Sequence, residues 1–106
     1  MPDSSPRSST EPQPDISRED RETGGRYVVR IDGHEAEMTF SKAGQHLIII
    51  DHTAVPDELR GLGIGSRLVL RAVEDARKAG QKIIPLCPYA ASEFTKHPEY
   101  QDVASK

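Results

Sequence analysis

The feature that most constrains the fold is a glycine-rich segment at residues 60–66, which reads Arg-Gly-Leu-Gly-Ile-Gly-Ser. It follows an apolar run centred on residues 47–50 and leads into residues 64–79, whose apolar residues recur at helical spacing. Continuous apolarity predicts a strand covered on both faces, and helical spacing predicts an amphipathic helix packed against it. The sequence therefore predicts a strand, a glycine loop and a helix in direct succession.

The flanking sequence predicts the rest of a small sheet. Residues 27–31 and 35–40 alternate polar with apolar side chains, and residues 32–34 between them have turn chemistry, so we expect a hairpin. The apolar stretch at residues 82–87 indicates a short strand, and residues 89–97 indicate a second short helix. The order β-β-β-α-β-α indicates an α+β fold with three-layer-like packing. Its sheet is mixed and mostly antiparallel, with one right-handed crossover to a parallel neighbour.

Composition sets residues 1–24 apart from the rest of the chain. This stretch holds four prolines, five serines and nine charged residues, and its only sizeable apolar residues are Met1 and Ile16. Such a segment buries too little apolar surface to offset the entropy lost on ordering. We therefore expect a disordered tail over residues 1–24 and a single minimal domain over residues 25–106.

Charge and cysteine content argue against several classes of protein. Residues 1–25 hold six acidic and three basic residues, which leaves 11 of each in the remainder. A domain without net charge lacks the electrostatic footprint of a nucleic-acid or anionic-membrane binder. The single cysteine, Cys87, excludes an internal disulfide. With no apolar run long enough to span a bilayer, no secretion signal and no metal-ligand spacing, we expect a cytoplasmic protein without a metal site.

Glycines between a strand and a helix indicate a phosphate site. They let the backbone approach a ligand, and the amides of the first helical turn point towards it. The dinucleotide fingerprint Gly-x-Gly-x-x-Gly does not fit, since its third glycine falls on Ser66 or Leu68, and the Gly-Lys-Ser/Thr of a nucleotide triphosphate loop is absent. The pattern Arg-x-x-Gly-x-Gly does fit. Residues 55–65 resemble the coenzyme A pyrophosphate loop of the Gcn5-related N-acetyltransferases.

Three further motifs resemble one subgroup of that superfamily, the short YjdJ-type acetyltransferases. They are residues 52–56, residues 85–89 with Cys-Pro-Tyr, and residues 96–100 with His-Pro-Glu-Tyr. The loop alone indicates the superfamily, while the other motifs point to the subgroup. The resemblance covers about residues 26–104.

The resemblance implies acetyl-coenzyme A as the cofactor and an amine as the acceptor. In the superfamily, the strand before the loop and the strand after the long helix splay apart, and pantetheine pairs with the backbone of the first. Here that backbone belongs to Thr53, Ala54 and Val55, opposite residues 84–87. The pyrophosphate is expected on the loop, which consists of Arg60, Gly61, Leu62, Gly63, Ile64, Gly65 and Ser66.

The resemblance also implies an active-site role for Cys87, near the acetyl thioester. Cys87 could attack the thioester and form an acetyl-enzyme, or the amine could attack directly while Cys87 positions the thioester. His52 is a candidate base for the thiol if the strand ends bring the two together, and His97 is a weaker one. Taken alone, a single cysteine in a strand is usually a small core hydrophobe.

Two departures from the family pattern leave the acceptor side open. The tyrosine that protonates the leaving thiolate in larger members has no counterpart in residues 92–95, and the N-terminal strand and two helices that shape their acceptor site are not expected here. A partner protein or a second copy of the chain could complete that site. The alternatives are an acetyltransferase acting on a small amine, a lysine or a protein N-terminus, a non-catalytic acyl-coenzyme A-binding module, and, disfavoured by the glycine loop, a purely structural partner.

Overall fold

A computed structural model describes residues 15–105 of the chain. The regular elements, in chain order, are β1 Ile16–Asp20, β2 Gly24–Ile31, β3 His34–Lys42, β4 Leu47–Ala54, α1 Ile64–Ala79, β5 Lys82–Pro85 and α2 Pro88–Lys96. Short 3₁₀ turns lie at Asp57–Leu59 and Pro98–Asp102. No helix within the described residues is long and apolar enough to cross a membrane.

The five strands form one sheet in the order β1-β2-β3-β4-β5. The first four are antiparallel neighbours, and β4 pairs with β5 in parallel, so the α+β class and the single crossover through α1 are confirmed. The predicted hairpin between β2 and β3 is present. Its two turn residues, Asp32 with φ 51° and Gly33 with φ 80°, are both left-handed, as a type I′ turn requires.

The strand β1 corrects the predicted tail, because it lies inside residues 1–24. Arg18 explains how so polar a segment becomes ordered. Its guanidinium lies 5.0 Å from the Phe40 ring centroid and donates hydrogen bonds to the Tyr27 hydroxyl at 3.0 Å and to Asp75 at 3.2 Å. Arg71 donates another hydrogen bond, at 3.1 Å, to the Ile16 carbonyl. The prediction of disorder for residues 1–14 falls outside the described residues.

The core lies on one face of the sheet, between the strands and both helices. Alternate residues of β2, β3 and β4 join the buried stripe of α1 and the α2 residues Ala90 and Phe94 in one apolar cluster. Because α2 packs beside α1, the described residues form two layers, a sheet and a helical layer, instead of the three-layer-like packing expected. We call the opposite side of the sheet, which carries the paired residues Ile49 and Ile84, the helix-free face.

The helix α1 has the predicted bounds. Gly80 ends it in a left-handed conformation, φ 69°, and its amide donates back to the carbonyls of Ala76 and Arg77. The strand β5 is shorter than predicted, because Cys87 leaves the strand to cap α2. The outer edge of β5 is covered by the C-terminal segment, in which the Ser105 amide donates to the Ile83 carbonyl at 2.8 Å.

Candidate functional site

The strands β4 and β5 separate after four residues. Their paired register ends at Ile50 and Pro85, and the Ile50 carbonyl accepts hydrogen bonds from the amides of Leu86 and Cys87, both at 3.1 Å. Beyond this point β4 continues to Ala54, paired on one side only with β3. The expected splay is therefore present, and it leaves one backbone edge of residues 51–54 without a strand partner among the described residues.

The glycine loop meets this edge at the start of α1. Gly61 has φ 84° and Gly63, the N-cap residue of α1, has φ 72°, and only glycine adopts such conformations at little cost. Among the described residues, no side chain caps this end of α1. The amides of the first turn therefore remain available at the positive end of the helix dipole.

Gly65 is needed for a different reason from the other two glycines. A Cβ built on Gly65 would lie 2.6 Å from the hydroxyl oxygen and 2.7 Å from the Cζ of Tyr89, whose ring packs against this turn. The Tyr89 hydroxyl also lies 3.3 Å from Ser66 Oγ. Gly65 therefore makes room for Tyr89 as well as for any ligand.

A groove of about 460 Å³ joins these parts of the site. The residues that line it are Thr53, Val55, Leu59, Arg60, Gly61, Gly63, Ile64, Gly65 and Tyr89. The structure thus brings the predicted loop residues and the end of β4 to one cavity. Tyr89, 39% exposed, is the wall residue to which the sequence argument gave no role. Tyr89 is part of the Cys-Pro-Tyr motif, but that motif was used only to suggest the subgroup.

Arg60 has an acidic partner beside the groove. Its Nε lies 3.0 Å from Asp57 Oδ1, and both side chains are largely exposed. An exposed pair of this kind is weak and exchanges easily for another anion. Arg60 is therefore free to turn to a phosphate without a large energetic loss.

Cys87 lies at the floor of the splay, only 5% exposed. It is the N-cap residue of α2, and its Sγ accepts a hydrogen bond from the Ala90 amide at 3.4 Å. The Thr53 hydroxyl lies 3.4 Å from the same sulfur. Thr53 lines the groove, so Cys87 lies directly behind its wall.

His52 does not contact Cys87, because a β-bulge turns it away. The register of β3 and β4 shifts between Thr39 and Phe40, so that Phe40 pairs with Ile50 and Thr39 with His52, and Asp51 is the additional residue. Simple alternation from Ile50 would place His52 on the core face beside Cys87. The bulge gives that place to Thr53 and moves His52 to the helix-free face. The predicted His52–Cys87 pair is therefore not formed.

The remaining candidate base, His97, lies at the far end of α2. The His97 ring stacks on Tyr100 with centroids 4.7 Å apart, and Tyr100 packs edge-on against Phe94. Tyr100 thus anchors the C-terminal segment, and His97 belongs to that end of α2 and not to the Cys87 pocket. Residues 15–105 contain no group of three or more His, Cys, Asp or Glu side chains placed to hold a metal ion.

Two comparisons with known proteins agree with this geometry. The model of the GCN5-related N-acetyltransferase family matches residues 26–103. The NMR solution structure of a GCN5-like candidate N-acetyltransferase from Staphylococcus aureus superposes with a TM-score of 0.66 at 35% sequence identity, over 84% of this chain and 87% of that one. The chain described here is therefore a member of the GCN5-related N-acetyltransferase family.

Proposed function

We propose that this protein binds acetyl-coenzyme A in the groove and transfers the acetyl group to an amine. The observation that carries the proposal is the continuity of the groove, which runs from the glycine loop to Thr53 on the unpaired edge of β4. An anion site and an unpaired strand edge in one channel match the two ends of coenzyme A, a pyrophosphate and an amide-containing pantetheine arm.

The pyrophosphate is assigned to the loop Arg60–Ser66. Backbone amides at a helix N-terminus bind anions without any side-chain charge, and Gly61 and Gly63 keep the approach clear of Cβ atoms. Arg60 exchanges Asp57 for the phosphate. The Ser66 hydroxyl, 3.3 Å from the Tyr89 hydroxyl, adds one donor in the first turn of α1.

The pantetheine arm is assigned to the unpaired edge of β4. Its amides would continue the sheet by pairing with the backbone of Thr53, Ala54 and Val55, as an added strand does at a free edge. This places the thioester near the floor of the splay, where Thr53 and Cys87 meet.

Two routes for the acetyl group start from that position. In the direct route the amine nitrogen attacks the thioester carbonyl, the carbon–sulfur bond breaks, and coenzyme A leaves as a thiolate that is then protonated. In the second route the Cys87 sulfur attacks first while its proton passes to the departing coenzyme A sulfur. The amine then attacks the acetyl-cysteine, and a proton from the amine restores the Cys87 thiol. The burial of Cys87 behind Thr53 favours the direct route, with Cys87 positioning the thioester.

His52 is retained as a residue that orients the acceptor amine, not as a base for Cys87. It lies exposed on the helix-free face at the end of the strand that carries Thr53. An amine entering the splay from that face would meet it. Replacing His52 with Gln should lower kcat and leave coenzyme A affinity unchanged, whereas a weaker affinity would contradict this role.

The helix-free face is also where we place the acceptor and any partner. The paired residues Ile49 and Ile84 are partly exposed on this face, and Leu86, 66% exposed, follows directly after the end of β5. A second copy of the chain or a protein acceptor could cover this apolar strip. A small amine, a lysine side chain and a protein N-terminus are all compatible with so open a face, and the YjdJ-type subgroup remains our inference from the motifs.

The non-catalytic module is the second candidate, and the absence of a His52–Cys87 pair favours it. Intact-protein mass spectrometry after incubation with acetyl-coenzyme A, with a thermal-shift titration in parallel, separates the possibilities. Wild type and Cys87→Ala should both be stabilised by the cofactor, and an amine should be acetylated by the wild type.

Three outcomes of that experiment are informative. An adduct of one acetyl group on the wild type alone would establish the acetyl-enzyme route. Stabilisation without an adduct, and without acetylation of any amine in a screen, would establish the binding module. The absence of both stabilisation and adduct would overturn the assignment of the groove.

A further inference from the structure

The helix α2 carries a buried carboxylate that no part of the proposed site uses. Glu93 is 2% exposed, and its Oε1 has no hydrogen-bond partner among the described residues. Burying an unsatisfied carboxylate is costly and is seldom retained without a function. The neighbours of Glu93 on its own helix indicate what the function is.

Three titratable residues follow each other along one side of α2. Tyr89 and Glu93 lie four residues apart on α2, so their side chains share one side of the helix, and His97, four residues further on, is the C-cap residue. Tyr89 is at the groove end and lines the cavity. His97 is at the other end, 37% exposed, with Nε2 3.4 Å from Glu93 Oε1 and Nδ1 3.1 Å from Glu99 Oε2.

Tyr89 is electrostatically coupled to the buried carboxylate. Burial raises the pKa of Tyr89, the Ser66 hydroxyl lowers it, and the charge of Glu93 raises it further. Tyr89 is therefore held as a neutral phenol that can accept a proton on oxygen while passing its own proton on. Along the helix, the buried carboxylate therefore lies between Tyr89, which lines the groove, and the partly exposed His97.

We propose that Tyr89, Glu93 and His97 form a proton-transfer ladder that carries the proton released by acetyl transfer from the groove to solvent. This rests on the proposed function, because an ammonium acceptor and acetyl-coenzyme A give an amide, free coenzyme A thiol and one proton. The proton passes to the Tyr89 oxygen as the phenol proton passes to Glu93. Glu93 then gives its proton to His97, which releases it to solvent, and all three residues return to their starting states.

Other charged groups near the ladder define the controls. Lys96 Nζ is 3.9 Å from Glu93 Oε2. Glu93 and Cys87 both raise the pKa of Tyr89. The titratable groups that reach the His97 end are Glu99 and Tyr100 of the following 3₁₀ turn, and Glu74 and Arg77 of α1 through Tyr100. Ser92, exposed on the same helix, offers a matched control position.

The coupling is tested on the free protein by ultraviolet titration of tyrosine. The signal of Tyr89 is identified by its loss in Tyr89→Phe. In Glu93→Gln the Tyr89 phenol should ionise at a lower pH than in wild type, since the opposing negative charge is removed, and Ser92→Ala should match wild type. An unchanged Tyr89 titration in Glu93→Gln would overturn the ladder, whatever the outcome for acetyl transfer.

Proton transfer itself is tested by kinetics. His97→Gln removes the stacking on Tyr100 as well as the imidazole, so its Tm is measured as the folding control. In the folded variant kcat should fall about tenfold with little change in KM, and free imidazole should restore His97→Ala. A kcat and pH profile equal to wild type in both Glu93→Gln and His97→Gln would refute the transfer role. If wild type transfers no acetyl group, the proposed function fails, while the titration still decides the coupling.

Discussion

At the scale of single residues, the glycine loop shows that glycines close together can be required for different reasons. Gly61 and Gly63 are required by their left-handed backbone. Gly65 is required because the Tyr89 ring packs against its Cα. The first reason is intrinsic to the backbone, whereas the second depends on another side chain and can be relieved by changing that side chain.

Gly65→Ala should therefore act through Tyr89. The new methyl group moves the exposed ring aside and breaks its contact with Ser66, so coenzyme A affinity should fall about tenfold, or roughly 1.4 kcal/mol. In a Tyr89→Ala background the same change should have little further effect. Gly63→Ala should weaken binding in both backgrounds, because its cost lies in the backbone. Isothermal titration of the three single variants and the two double variants measures this, and additive losses for Gly65 and Tyr89 would refute it.

At the scale of elements, β1 is held to α1 largely by polar contacts. Asp75 lies at their centre, accepting hydrogen bonds from the Tyr27 hydroxyl at 2.8 Å and from Arg18 at 3.2 Å, with Arg71 also at 3.2 Å. Burial by itself would raise the pKa of Asp75, but these donors outweigh it and lower the pKa below its ordinary value.

A carboxyl whose pKa is lowered by folding stabilises the fold above its unfolded pKa, and this stabilisation disappears as the pH falls through its folded pKa. Asp75→Asn should therefore cost about 1 kcal/mol at pH 7, and the difference from wild type should shrink as the pH falls below about 4. Urea unfolding at pH 7 and pH 3 measures both values. Glu74→Gln, one residue away and exposed, should show no such dependence, and a pH-independent loss in Asp75→Asn would contradict the argument.

Prediction from sequence succeeded where the signal was local. The bounds of α1, its end at Gly80 and the hairpin turn at Asp32 depend on neighbouring residues, and all three are confirmed. The strand β1 was missed because its stability comes from pairs such as Arg18 with Asp75, 57 positions apart. Such contacts leave no mark in local composition.

The candidate site divides in the same way. The loop was predicted because its glycines are visible in the sequence, and the splay was expected from the resemblance to the acetyltransferase superfamily. The position of His52 was not predicted. The bulge at Asp51 moves every later residue of β4 to the side of the sheet opposite to the one that simple alternation gives. The place of Tyr89 against Gly65 depends on how α2 packs on α1, which no spacing along the chain reveals.

At the scale of the whole molecule, the small domain depends on its first strand. Removing residues 1–21 deletes β1 and uncovers Tyr27 and Phe40, whose side chains it covers through Arg18. We expect a loss of at least about 2 kcal/mol, or roughly 10 °C in Tm for a domain of this size. Removing residues 1–14 is the matched control, and it should leave Tm unchanged if the tail is disordered as predicted. Equal Tm values for the two truncations would show that β1 contributes nothing.

The central claim is that the glycine loop and the unpaired end of β4 form one binding site for coenzyme A. Titration of ¹⁵N-labelled protein with coenzyme A, followed by two-dimensional NMR, tests it residue by residue. We predict saturable shifts with one common Kd for the amides of residues 61–66 and 53–55, and small shifts on β1 and β2. Shifts confined to other regions, or different Kd values for the two segments, would contradict the account.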